Sequence, residues 1–151
     1  DEPVRGHGVI HHFQIARLED VERQVGAGQQ QRSGKRKHRN ALRQVGRTIA
    51  SVMKRASDVV ARSGQGGFLV LGVSMEADAA LSFADQIVSR IRSLSIHHPR
   101  SVTGKFLTVS AGVVTAQPPR GASHTAMLGA TQVAVGEASS GGGNRAIRGE
   151  I

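Results

Sequence analysis

Apolar positions along the chain fall into alternating helical and extended runs. From Asn40, the residues Leu42, Val45, Ile49, Val52 and Met53 recur at helical spacing, while Arg43, Arg47 and Lys54 take the other side. That period predicts an amphipathic helix ending near Arg55 to Ser57. Asp58 to Arg62 then reads as a strand, Ser63 to Gly67 as a tight turn, and Phe68 to Val73 as the returning strand of a hairpin. A second helix is predicted over Glu76 to Leu94, with Ala80, Leu81, Ala84, Ile87, Val88 and Ile91 on its buried side. Phe106 to Val114 alternates as a strand, Pro118-Pro119 breaks the chain, and Thr125 to Ser139 forms an Ala-rich last helix before a flexible Ser140 to Asn144 stop. Upstream, Gly8 to Phe13 makes a weakly patterned first strand. Residues 26–39 hold no apolar side chain beyond Ala27 and turn strongly basic, which predicts a mobile loop.

Composition narrows the possible chemistry. The 151 residues suffice for one domain with a sizeable core, taken here as residues 1–151, and the start at Asp1 predicts a fragment of a longer protein. Cys is absent, which removes disulfides, thiol nucleophiles and Cys-based zinc sites. No apolar run approaches the length of a membrane span, and a cytoplasmic setting fits. The net charge of +9 favours anionic partners: nucleotides, nucleic acid or a membrane surface. With four Phe and neither Trp nor Tyr, the chain lacks an aromatic platform for stacking single-stranded bases. His11-His12 and His97-His98 suggest no metal site, because adjacent strand residues face opposite ways and no acidic cluster accompanies them. The basic run Arg32 to Arg39 offers weak contact with nucleic acid or anionic lipid, against the plainer reading of a solvated loop.

The ordered set of motifs resembles one family. A helix, Arg55-x-x-Asp58, a short strand, the Gly-rich turn closed by Phe68, a strand, a helix with Ala84-Asp85-x-Ile87, then Leu107 to Val113 and Gly-x-Asn144-Arg145 resembles the GGDEF domain of diguanylate cyclases. The likeness covers roughly residues 9 to 147. It implies a palm-like α+β fold with a central, mainly antiparallel sheet flanked by helices. It also implies a nucleotide chemistry, the condensation of two GTP into cyclic di-GMP between two domains.

In that frame the family's signature turn falls on Gly64-Gln65-Gly66-Gly67-Phe68, with Gly at both acidic positions. Gly offers no anionic oxygen to hold Mg²⁺ against the charge developing on a transferring phosphate. Val9, Gln14, Arg17, Ser139 and Gly143 stand where the resemblance implies a metal Asp, Lys, a guanine-reading Asn, and a phosphate-binding Lys and Arg. The guanine-binding Asp maps to Arg39 or Asn40. The expectation is therefore a degenerate domain that is not an enzyme, with no catalytic residue and no Mg²⁺ or other cofactor.

The resemblance also places Arg55 and Asp58 at the family's inhibitory site, which binds cyclic di-GMP. A guanidinium fork matches the guanine O6/N7 edge or a phosphate, and a carboxylate accepts from guanine N1 and N2. The plainer alternative is a helix-end ion pair with Asp58 capping a turn. A third contact from the second helix aligns with Gln86, with Ser82 one turn before it and Arg90 one turn after it on the same face. The functional expectation is a cyclic di-GMP receptor using Arg55, Asp58 and Arg90. Such a receptor passes its signal to an attached domain, a protein partner or a second copy, with exopolysaccharide synthesis, adhesion or motility as outputs. The alternative function is a ligand-free dimerisation or regulatory scaffold.

Overall fold

A computed structural model describes residues 10–16, 31–64, 66–73, 75–101, 104–116 and 124–151. Along the chain run β1 (Ile10–Ala16), α1 (Gln31–Val52), β2 (Val59–Ser63), β3 (Gly67–Val73), α2 (Ala77–Ser93), β4 (His97–Ser101), β5 (Gly104–Phe106), β6 (Ser110–Ala116), α3 (Thr125–Ser140) and β7 (Ala146–Arg148). Five strands form the central sheet in the order β2-β3-β1-β6-β7, and β4 pairs with β5 in a separate ribbon. β1 lies antiparallel to both β3 and β6, β2 is antiparallel to β3, and β7 runs parallel to β6. The molecule is thus α+β with a mainly antiparallel sheet.

Strand parity explains how the helices cover this sheet. Ala111 and Val113 of β6 belong to one core with Leu42, Val45 and Ile49 of α1 and Ala84, Ile87 and Ile91 of α2. Gly112 points the opposite way, where α3 lies so close that a Cβ would sit 2.6 Å from the Thr131 carbonyl oxygen. One face of β6 therefore meets α2 in the core that α1 completes, and the other meets α3. In β3 only alternate residues are buried, Phe68 and Val70 among them, and the Phe68 ring lies 3.1 Å from where a side chain on Gly46 of α1 would begin.

The apolar periodicity of α1 reads true: Leu42, Val45, Ile49, Val52 and Met53 are all buried. Its start differs from expectation. Residues 31–39 of the expected 26–39 loop form the first turns of α1, while 26–30 lie outside the described residues. Gln, Arg and Lys are good helix formers, and extending an existing helix costs far less than nucleating one. An apolar period cannot reveal turns that have no apolar face to bury.

Three further differences concern short elements. β4 and β5 were not expected, and the predicted strand from Phe106 starts instead at Ser110. Ser140 to Asn144 folds into a defined cap, with the Gly141 amide on Glu137 O and the Gly143 amide on Ala138 O. That cap delivers Ala146–Arg148 to β6, where Ala111 N bonds Arg145 O and Gly149 N bonds Val113 O. Val9, Arg17 and Pro118-Pro119 lie outside the described residues.

Candidate ligand site at the end of the first helix

α1 is followed by Met53 and Lys54 and then by a turn that leads into the edge strand β2. That turn is closed by two reciprocal hydrogen bonds: Asp58 N–H donates to Arg55 O at 3.0 Å, and Arg55 N–H donates to Asp58 Oδ2 at 2.9 Å. An Asp side chain that bonds nearby backbone is a common reason for a helix to stop where its apolar period stops. The Arg55 guanidinium donates from Nη1 to the Val73 carbonyl at 3.1 Å. This fastens the turn to the far end of β3.

Two properties of this turn bear on ligand binding. Arg55 is exposed and spends one of its five side-chain N–H donors on Val73. Asp58 is half-buried, and its Oδ1 is shut off from solvent with no hydrogen-bond partner in the protein. Oδ1 lies 3.8 Å from where a side chain on Gly72 would begin. A buried acceptor left unmade costs about 1–3 kcal/mol. The pair therefore carries unused hydrogen-bonding capacity of both signs.

The structure thus brings Arg55 and Asp58 together. Asp58 caps the turn, as the plainer reading has it, while among the described residues no ion pair joins the two side chains. Arg90 sits elsewhere, on the exposed face of α2 with Ser82, Asp85, Gln86 and Ser89, where these five residues line a shallow depression. Among the described residues no hydrogen bond or ion pair joins Arg90 to Arg55 or Asp58. Sequence reasoning missed the Val73 carbonyl and Gly72, and nothing local could have revealed them because they come from a separate strand.

At the other end of the β2–β3 hairpin, Ser63 pairs with Gly67 and the chain turns through Gly64 with φ of +61°. A side chain there would be strained by the left-handed backbone, although nothing lies within 4 Å of its Cβ. Gln65 lies outside the described residues. Arg62 on β2 stacks over the Phe68 ring at 5.4 Å, which ties the two strands together just before the turn. No helix among the described residues is long and apolar enough to cross a membrane.

Comparison with solved structures shows the fold directly. The active GGEEF domain of a diguanylate cyclase from Vibrio cholerae superposes with a TM-score of 0.67 at 18% identity, over 95% of this chain and 84% of that one. The GGDEF domain of DgcB from Caulobacter crescentus, in complex with c-di-GMP, gives 0.65 at 20% identity over 93% and 78%. LapD from Vibrio cholerae, an S helix-GGDEF-EAL protein bound to c-di-GMP, gives 0.66 at 17% identity over 98% of this chain and 32% of that one. No curated protein matches significantly.

Residues 30–145 match the family described as diguanylate cyclase, GGDEF domain. This corrects the expectation that the chain is not an enzyme, since the family is one of cyclases and the first Vibrio cholerae neighbour is an active domain. That expectation rested on Gly at both acidic positions of the turn and on the residues at Val9, Gln14, Arg17, Ser139 and Gly143, whereas hard cations also take backbone carbonyls and carboxylates from other segments as ligands. The chain belongs to the GGDEF-domain family of diguanylate cyclases.

Proposed function

We propose that this domain binds cyclic di-GMP at the Arg55–Asp58 turn and transmits that binding to an attached domain or a partner protein. One observation carries the reading: a half-buried carboxylate and an exposed guanidinium are held on one turn, and each has hydrogen-bonding capacity left over. Arg55 supplies donors for a phosphate or a guanine O6/N7 edge, and Asp58 accepts from guanine N1 and N2. Oδ1 is enclosed, so a guanine edge reaches it only through a shift of the turn that carries it. That shift would also tug on Val73, giving the ligand a mechanical route into β3. Arg90, on the exposed face of α2, supplies a third contact. The ligand needs no metal ion here, because the guanidiniums meet its phosphates directly. Cyclic di-GMP complexes of DgcB and LapD support this choice of ligand.

Calorimetric titration of the chain with cyclic di-GMP, beside Arg55→Ala and Asp58→Ala, tests the proposal. Saturable binding by the parent that is weakened in both variants is expected. A parent domain that does not bind at millimolar ligand would overturn it and leave the scaffold reading.

A further inference from the structure

The basic face of α1 takes no part in the site above, and it is unusually uniform. Between Glu22 and Asp58 the sequence has no acidic residue, yet it has ten Lys and Arg. Helical geometry at 100° per residue gathers Arg36, Arg39, Arg43 and Arg47 into an arc of about 80°, opposite the buried Val45, Ile49 and Val52. All four are exposed, and among the described residues none meets a carboxylate. At 1.5 Å per residue the ridge is about 16 Å long. It is a band of arginines along one side of the helix whose mutual repulsion goes uncompensated within the helix.

We infer that this ridge docks on the phosphate backbone of double-stranded nucleic acid. Guanidiniums bind phosphate bidentately, and a convex rod bearing one line of them suits a line of phosphates. The apolar positions of α1 are committed to the core, so no apolar face remains to enter an anionic membrane as an interfacial helix does. The other exposed residues of α1 in the region of the ridge are Lys37, Asn40, Gln44, Ala50 and Ser51, with no aromatic to stack unpaired bases. The contact reads charge and shape, and carries no base specificity.

Fluorescence anisotropy with a labelled 24-base-pair duplex, titrated with the 151-residue chain between 50 and 200 mM NaCl, tests this. Four phosphate contacts predict a slope of log K against log salt of about −3.6, independent of duplex sequence. Arg43→Glu with Arg47→Glu removes two of them, so the slope should fall to about −1.8 and affinity by at least about tenfold. The pair Arg92→Glu and Lys105→Glu makes the same charge change away from the ridge and should leave at least half of the affinity. If the reversal variant melts early by circular dichroism, Arg43→Gln with Arg47→Gln should still flatten the slope in a folded chain. Equal losses in the ridge and control pairs would reduce the effect to net charge and overturn the proposal. So would a parent that ignores the duplex but binds phosphatidylserine vesicles.

Discussion

The two ends of the β2–β3 hairpin lie roughly 16 Å apart along β2 and are built on opposite plans. At one end the Arg55–Asp58 turn is bonded to itself twice and to Val73 once, with its carboxylate packed over Gly72. At the other, Gly64 takes a left-handed backbone with open space around it. One turn is defined by side chains reaching back into the sheet, while at the other Gly64 carries a left-handed backbone and the Arg62–Phe68 stack ties the strands just before it. Side chains that are held can present chemistry, whereas a left-handed backbone asks only for a residue that tolerates positive φ, which Gly64 supplies. The first end therefore offers a ligand fixed side-chain groups, and the second offers it backbone.

Substitutions can break that contrast at either end. Arg55→Ala should have the largest effect: each charge-assisted hydrogen bond is worth about 1.5–3 kcal/mol, so cyclic di-GMP affinity should fall by roughly 10- to 150-fold per lost bond. Calorimetry reads this directly, and binding that survives unchanged would remove Arg55 from the site. Asp58→Ala comes next, with about a tenfold loss of binding. Its fold stability should change by less than about 1 kcal/mol, because the lost bond to Arg55 N is exposed while an unpaired buried acceptor disappears with it. Urea unfolding of that variant separates the two effects.

How much of this was legible in the sequence differs from element to element. The inner face of α1 was, because burial imposes a period, and the Arg55–Asp58 turn followed from where that period stops. The basic start of α1 was not, since Arg36, Lys37 and Arg39 are helical by propensity and by attachment to packed turns. β7 is three residues long and exists through pairing with β6, so no local pattern marks it. β4 contains Pro99 and no apolar alternation. Of the site, the pair was legible from spacing and resemblance. Its anchor on Val73 was not, because 18 positions separate donor from acceptor.

Gly64→Ala sharpens the comparison from the other side. At φ of +61° a Cβ costs about 1–2 kcal/mol, although nothing within 4 Å clashes with it, so the penalty is purely conformational. The midpoint of urea unfolding should drop accordingly, while cyclic di-GMP affinity stays within about twofold of the parent. A large loss of affinity would show that the two ends of the hairpin communicate.

Smaller effects test the edges of the proposed site. Arg90 bonds to neither Arg55 nor Asp58, and it stands exposed among Ser82, Asp85, Gln86 and Ser89. A contact made from such a position stays partly solvated, and exposed charge pairs contribute about 0.2–1 kcal/mol. Arg90→Ala should therefore weaken cyclic di-GMP by about twofold to fivefold, and the loss should shrink as salt rises, since exposed charges are screened over about 10 Å at 0.1 M. Removing divalent cations with EDTA should change nothing if the proposed contacts hold, because they set guanidiniums and a carboxylate against the ligand without a metal. If EDTA abolished binding while Arg55→Ala left it intact, the ligand would be seated on a metal elsewhere in the chain. The contrast between the two hairpin ends would then describe folding alone.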